Sequence, residues 1–168
     1  MLALRYGWKK YLLFTSALFL VVGLGTGCRD NSSKSKGSGK GGDVKGQITF
    51  TFDGTKYSST NCLAHYMVSD TETSITAGDG ETWTLTLEFP GKSKGSFSKK
   101  KGASAGFVLP PLNQYNAKEF KFTVSAYGGI GGAIKGTFSG TMVNNVDKND
   151  VKQITNGTFT AKRGADIP

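Results

Sequence analysis

The sequence has little of what most catalytic or cross-linked scaffolds need. Its 168 residues include two cysteines, one histidine and four prolines. Two cysteines cannot build a disulfide framework or a four-thiolate zinc site, and one histidine leaves few ways to assemble a His-based metal centre or a triad. Acids are also scarce, 12 against 21 lysines and arginines. Apolar periodicity of 3.6 residues is missing over any useful length, which excludes a helical core beyond the N-terminal run. What is abundant is glycine, 24 residues, together with threonine and phenylalanine in alternation.

The N-terminus carries an export signal. Arg5, Lys9 and Lys10 precede Tyr11–Gly27, which is 17 residues without a charge. A basic end, an apolar stretch and small residues before a cut site define such a signal. At 17 residues with three glycines near its end, the run is short for a permanent span, which needs roughly 20 apolar residues. Gly25-Thr26-Gly27-Cys28 resembles the lipobox of bacterial lipoproteins, with Gly25 standing where that family usually has Leu. The resemblance implies that Cys28 is lipidated, that residues 1–27 are removed, and that acyl chains hold the protein to a membrane. Two or three chains anchor firmly, whereas one is marginal. Arg29 rather than Asp follows Cys28, which in this family leans toward the outer membrane.

Residues 28–42 then form a tether. Arg29–Gly42 has no aliphatic or aromatic residue among 14, so it buries nothing that would offset the entropy of ordering. It carries Arg29, Lys34, Lys36 and Lys40 against Asp30, and spans roughly 20 Å as a flexible coil. Without residues 1–27 the chain has 18 bases against 12 acids, and from Asp43 onward 14 against 11. The domain is therefore only mildly basic and lacks the interleaved basic and aromatic face of a nucleic-acid protein. Its dense basic run is the glycine-rich loop Lys92–Gly102, with Lys99, Lys100 and Lys101. These lysines and the tyrosines Tyr57, Tyr115 and Tyr127 are the candidate surface contacts, suited to an anionic glycan or a lipid headgroup.

Residues 43–168 read as one β-rich domain. Ile48, Phe50 and Phe52 alternate with polar residues, as do Trp83, Leu85, Leu87 and Phe89, and Phe120, Phe122, Val124 and Ala126. Each set places its apolar side chains on one face of a strand. Ile134, Phe138 and Met142 share a face with Gly136 and Gly140. Cys62–Val68 lacks clean alternation and reads as a buried strand, with a short helix as the alternative. Turn chemistry falls at Asp53-Gly54, Gly78–Gly80, Pro90-Gly91, Asn144-Asn145 and Lys148–Asp150. Eight or nine antiparallel strands predict a two-sheet β-sandwich, with a small lipocalin-like β-barrel as the alternative.

Gly136-Thr137-Phe138 and Gly157-Thr158-Phe159 echo each other 21 residues apart, as expected of neighbouring strands in a meander. Asn156-Gly157 suits a bulge or a turn. These endings, within Phe120–Arg163, resemble the C-terminal strands of small β-rich domains in bacterial lipoproteins of unknown function. That resemblance carries no catalytic residues.

Three groups invite a chemical reading. Tyr127–Gly132 is glycine-rich, yet it opens another strand rather than a helix, so it is expected to be a hairpin connection and not a phosphate loop. Cys62 and His65 suggest a nucleophile and base, for a small hydrolase or redox enzyme, but lack a third partner; a buried cysteine and a core histidine are the expected state. Asp70, Glu72, Asp79 and Glu81 fail the EF-hand spacing. The sequence thus predicts no cofactor and no metal, and a binding or envelope-structural module rather than an enzyme. A barrel carrying an apolar ligand is the remaining alternative.

Overall fold

The computed structural model describes residues 44–111 and 113–168. The signal sequence, Cys28, the tether and Asp43 lie outside the described residues. Ten strands run in order: β1 (Gln47–Phe52), β2 (Thr55–Ser59), β3 (Cys62–Met67), β4 (Glu72–Gly78), β5 (Thr84–Pro90), β6 (Gly95–Ser98), β7 (Ser104–Leu109), β8 (Asn113–Tyr127), β9 (Ala133–Asn144) and β10 (Val151–Arg163). Among the described residues a single 3₁₀ turn, Lys99–Lys101, interrupts the β-structure between β6 and β7. Cys62–Met67 is a strand, as its sequence suggests, and the strand count exceeds the expected eight or nine.

The expected two-sheet sandwich is not what forms. β10 pairs with β3, and the order continues through β4, β5, β7, β8 and β9 back to β10, closing a seven-stranded barrel. Neighbours are antiparallel except at the β3–β10 seam, which is parallel and registers only Lys162 with Leu63 and Arg163 with Ala64. Beyond the seam the C-terminal residues continue along β3. Gly164 donates to the Ala64 carbonyl, Ile167 to Tyr66, and Val68 to Ile167.

Coiling explains why one sheet curls up instead of two sheets stacking. β8 and β10 are the longest strands, and both contain irregularities that increase bend and twist. The register shifts between Ala117 and Glu119 on β8, and between Ile154 and Gly157 on β10. At the second shift Asn156 takes a left-handed φ of 54°. Between these strands lie glycines with no room for a side chain. A Cβ on Gly136 would sit 2.1 Å from the Thr123 carbonyl oxygen and 2.6 Å from the Phe159 ring. A Cβ on Gly157 would sit 2.6 Å from the Phe138 ring.

The sequence echo now has a geometric meaning. β9 and β10 pair Gly136 with Phe159, Thr137 with Thr158, and Phe138 with Gly157. Each Gly-Thr-Phe therefore lays its ring over the other's glycine, so two copies of one short sequence make a self-complementary ladder.

The remaining strands cover the barrel. β1 and β2 form a hairpin on β10, turning through Asp53 and Gly54, both at positive φ as a two-residue turn requires. β1 bonds only to β2 and β10, yet Phe52 reaches Phe107 on β7 at 4.7 Å and Tyr115 on β8 at 5.0 Å between ring centroids. β6 extends the edge of β8, and its Phe97 meets Phe89 on β5 at 5.0 Å. Phe50, Phe89, Phe107 and Phe122 are fully buried in one continuous core. Full burial of such a side chain contributes roughly 2–3 kcal/mol. Aromatic rings thus meet across the interior of the barrel.

Candidate functional site

Lys99, Lys100 and Lys101 are exposed on the 3₁₀ turn, which Gly102 ends at a φ of 82°. Ordinary turn chemistry accounts for the cluster: only Gly tolerates that conformation without strain. The preceding Gly95–Ser98, expected as loop, pairs with Val124–Lys121 of β8. Lys99 reaches back to donate to the Ala117 carbonyl at 2.5 Å, near the start of β8. Tyr127 is the last residue of that strand, so the structure does not bring the lysine turn and Tyr127 together.

The three tyrosines considered as exposed contacts are instead packed. Tyr127 is half-buried against Phe89, and its hydroxyl donates to Thr73 Oγ1 at 2.8 Å while Thr73 donates to the Gly91 carbonyl. Tyr115 is buried and donates to Asp150 at 2.6 Å. Tyr57 stacks on Phe50 at 5.2 Å. Alternation signals that a ring faces inward only when the register is known, and these tyrosines lie in runs of mixed polarity.

Cys62 and His65 occupy opposite faces of β3. Cys62 points into the core beside Ala64, and burial pushes its thiol up to about 12. A thiol so placed holds almost no thiolate near neutrality and is a poor nucleophile. His65 turns outward, where its ring lies against Gly164 and its Nδ1 is 3.0 Å from the Ala165 carbonyl oxygen. The pair cannot act as nucleophile and base.

The acids are divided between the two ends of β4. Glu72 is raised by partial burial and by the nearby Glu88 and Asp70 carboxylates. Asp79 accepts from the backbone N–H groups of Glu81, Thr82 and Trp83 and from the Thr82 hydroxyl. Those donors hold Asp79 well below the usual carboxylate range. No group of three or more His, Cys, Asp or Glu is placed to hold a metal among the described residues.

The C-terminal residues carry a charged knot. Asp166 pairs with Arg163 and, at 2.6 Å, with Lys92, whose Nζ sits 3.9 Å above the Tyr66 ring. Arg163 is buried and passes over Tyr127. These contacts close the barrel seam from the side chains as the tail closes it from the backbone.

Three open depressions lie on the described residues; one, of about 310 Å³, is lined by Thr49, Phe50, Thr51, Lys56 and Asn156, and the other two differ in what they offer a ligand. The larger, about 500 Å³, is lined by Gln47, Ser58, Ser59, Thr60, Asn61 and Asp79 among others. Ser59 donates to the Gly78 carbonyl at 2.5 Å and accepts from the Asn61 N–H, and Asp79 serves its own loop, while the side chains of Gln47, Ser58, Thr60 and Asn61 hold no hydrogen bond with other described residues. The second, about 240 Å³, is a groove on the outer face of β8, β9 and β10. Glu119 and Lys121 come from β8, Ser139 and Thr141 from β9, and Gln153 and Thr155 from β10. Thr141 and Gln153 bond each other across strands at 3.2–3.3 Å. The side chains of Glu119, Lys121, Ser139 and Thr155 hold no hydrogen bond or ion pair with other described residues.

This outer face escaped sequence reasoning because it is a product of register. Direct pairing lines up Ser58, Thr49, Thr158, Thr137, Thr123 and Ser96 across β2, β1, β10, β9, β8 and β6. The result is a rank of hydroxyls spaced about 4.8 Å apart. Thr49 and Thr158 share a hydrogen bond of 2.9 Å. The groove lies beside this rank, between the Ala117/Glu119 shift of β8 and the Ile154/Gly157 shift of β10; a further shift of β8 falls between Val124 and Ala126. The only sequence signal was threonine and serine in the polar half of each alternation. Comparison with protein-family models, with curated proteins and with solved structures finds no match to this chain.

Proposed function

We propose that this chain is an exported, lipid-anchored protein of a bacterial cell envelope, acting as a binding or structural module rather than a catalyst. The observation that carries the reading is Cys28, set behind Gly25-Thr26-Gly27 at the end of an uncharged run and followed by a basic Gly/Ser tether. Acyl chains on Cys28 hold the protein to the membrane, with the outer membrane favoured by Arg29. The tether then lets the barrel meet its surroundings at a distance of roughly 20 Å. A core filled with aromatic rings supports contact through the outer surface rather than the interior. The exposed lysines of the Lys99–Lys101 turn suit the phosphates or carboxylates of headgroups and anionic glycans.

The test is fractionation of cells expressing the chain and its Cys28→Ser variant. The reading expects the parent in the membrane fraction, released by detergent but not by salt, and the unprocessed variant to run at a higher mass. Equal masses and equal distribution would overturn it.

A lipocalin-like carrier of an apolar ligand is the second reading, favoured by closure of the barrel. It requires Phe50, Phe52 and Phe107 to give way, since their rings meet in the core that a ligand would have to occupy. Native mass spectrometry of gently extracted protein checks it by the presence or absence of bound lipid.

A further inference from the structure

We propose that the groove across β8, β9 and β10 is a glycan-binding site, and this deepens the reading of the protein as an envelope binding module. Two register irregularities, at Lys118-Glu119 on β8 and at Thr155-Asn156 on β10, flank the same stretch of β9. Bulges re-aim side chains and are over-represented beside functional sites. Here they bend the outer face into a depression of about 240 Å³ around Ser139 and Thr141. Gly140, on the opposite face, allows the close approach beneath, for a Cβ there would stand 2.2 Å from the Glu119 carbonyl oxygen.

The chemistry of the lining selects the ligand class. One carboxylate (Glu119) and one ammonium (Lys121) cancel, so the site does not favour a dianion or a polycation. The side chains on its outer face end in polar groups set on a lining that is otherwise largely carbon, as suits the mixed C–H and hydroxyl faces of a sugar ring. The binding surface is a sheet face and not a sheet edge, so an added peptide strand would find no free backbone ladder. What remains is a set of short hydroxyls, an amide, a carboxylate and an amine, open to solvent and close together. Such mixed donors and acceptors match the hydroxyl groups of a sugar, each of which both donates and accepts. The neighbouring rank of Thr158, Thr137 and Thr123 continues the same chemistry along the sheet, which suits an extended chain rather than a single sugar unit. Four of the groove's polar side chains, Glu119, Lys121, Ser139 and Thr155, are unengaged within the described residues.

The experiment is a titration of the ¹⁵N-labelled mature chain, solubilised in detergent, with two probes. One is a neutral tetramer of β-linked N-acetylglucosamine, and the other a tetramer of uronic acid. The proposal expects millimolar or tighter binding of the neutral tetramer, with amide shifts confined to residues 119–123, 137–141 and 153–158, and no such shifts with the uronic acid tetramer. Ser139→Ala and Thr155→Val, both on the outer face and compatible with a strand, should each weaken that binding about five- to tenfold, as loss of one hydrogen bond implies. Thr76→Val, on a different part of the barrel wall, should leave it unchanged. Absence of shifts with the neutral tetramer, equal shifts with the uronic acid tetramer, shifts elsewhere, or binding indifferent to the two groove substitutions would overturn the proposal. Anchoring is read separately from the mass of the same preparation, so a silent groove on a lipidated chain refutes the site alone.

Discussion

At the scale of single residues, glycine and cysteine make the sharpest statements. Gly136 is required by contact and not by backbone angle: the space where a Cβ would stand is filled by a carbonyl oxygen and an aromatic ring. Gly136→Ala is therefore expected to destabilise the domain by about 3 kcal/mol, at the upper end of what overpacking typically costs. Urea unfolding monitored by tryptophan fluorescence measures it, and a loss near zero would mean that β9 and β10 can part locally without penalty. Cys62 offers a second test. With its pKa near 12 rather than the usual 9.0, it should react with iodoacetamide at pH 8 about a thousandfold more slowly than in the denatured chain. Because the neutral thiol is the buried form, its contribution to stability is complete below pH 9 and is lost as pH rises toward 12. Cys62→Ala should remove that part of the alkaline loss, read from melting curves between pH 8 and pH 11.

At the scale of elements, the turn between β4 and β5 is built on one carboxylate. Asp79 ties three consecutive backbone N–H groups, which fixes the direction in which Trp83 enters the core beside Phe50. Its lowered pKa makes its contribution present above about 3.8 and progressively lost as pH falls below that value. Asp79→Ala is expected to lower the melting temperature at pH 7, and the gap between variant and parent should shrink as pH approaches 2. A gap independent of pH would show that the loop is held by packing alone. The elements themselves were largely legible in the sequence. Inward positions at Ile48, Phe50 and Phe52, at Leu85, Leu87 and Phe89, and at Phe120, Phe122 and Val124 follow the alternation directly. Asp53-Gly54 and Asn156 fall where their tolerance of positive φ is needed. β6 was missed because four residues set among lysines and glycines carry too little pattern, and only Phe97 reports their inward face.

At the scale of the molecule, closure and the groove were not legible. The seam joins Leu63 and Ala64 to Lys162 and Arg163, about a hundred residues away, through two parallel register pairs. No local feature of either segment names the other, and a sandwich and a barrel share the same alternation. The groove depends on two register shifts, each one residue in size, which move Glu119 and Thr155 relative to their neighbours. The Gly-Thr-Phe echo predicted adjacency correctly, since an antiparallel pair of identical segments places each phenylalanine opposite the other's glycine.

The anchor is the central claim, because the envelope setting and the glycan site both draw their meaning from it. The direct measurement is the intact mass of the protein extracted from its own cell membranes. The account predicts the mass of Cys28–Pro168 plus two or three acyl chains. The unmodified mass of Cys28–Pro168, or that of all 168 residues, would contradict it.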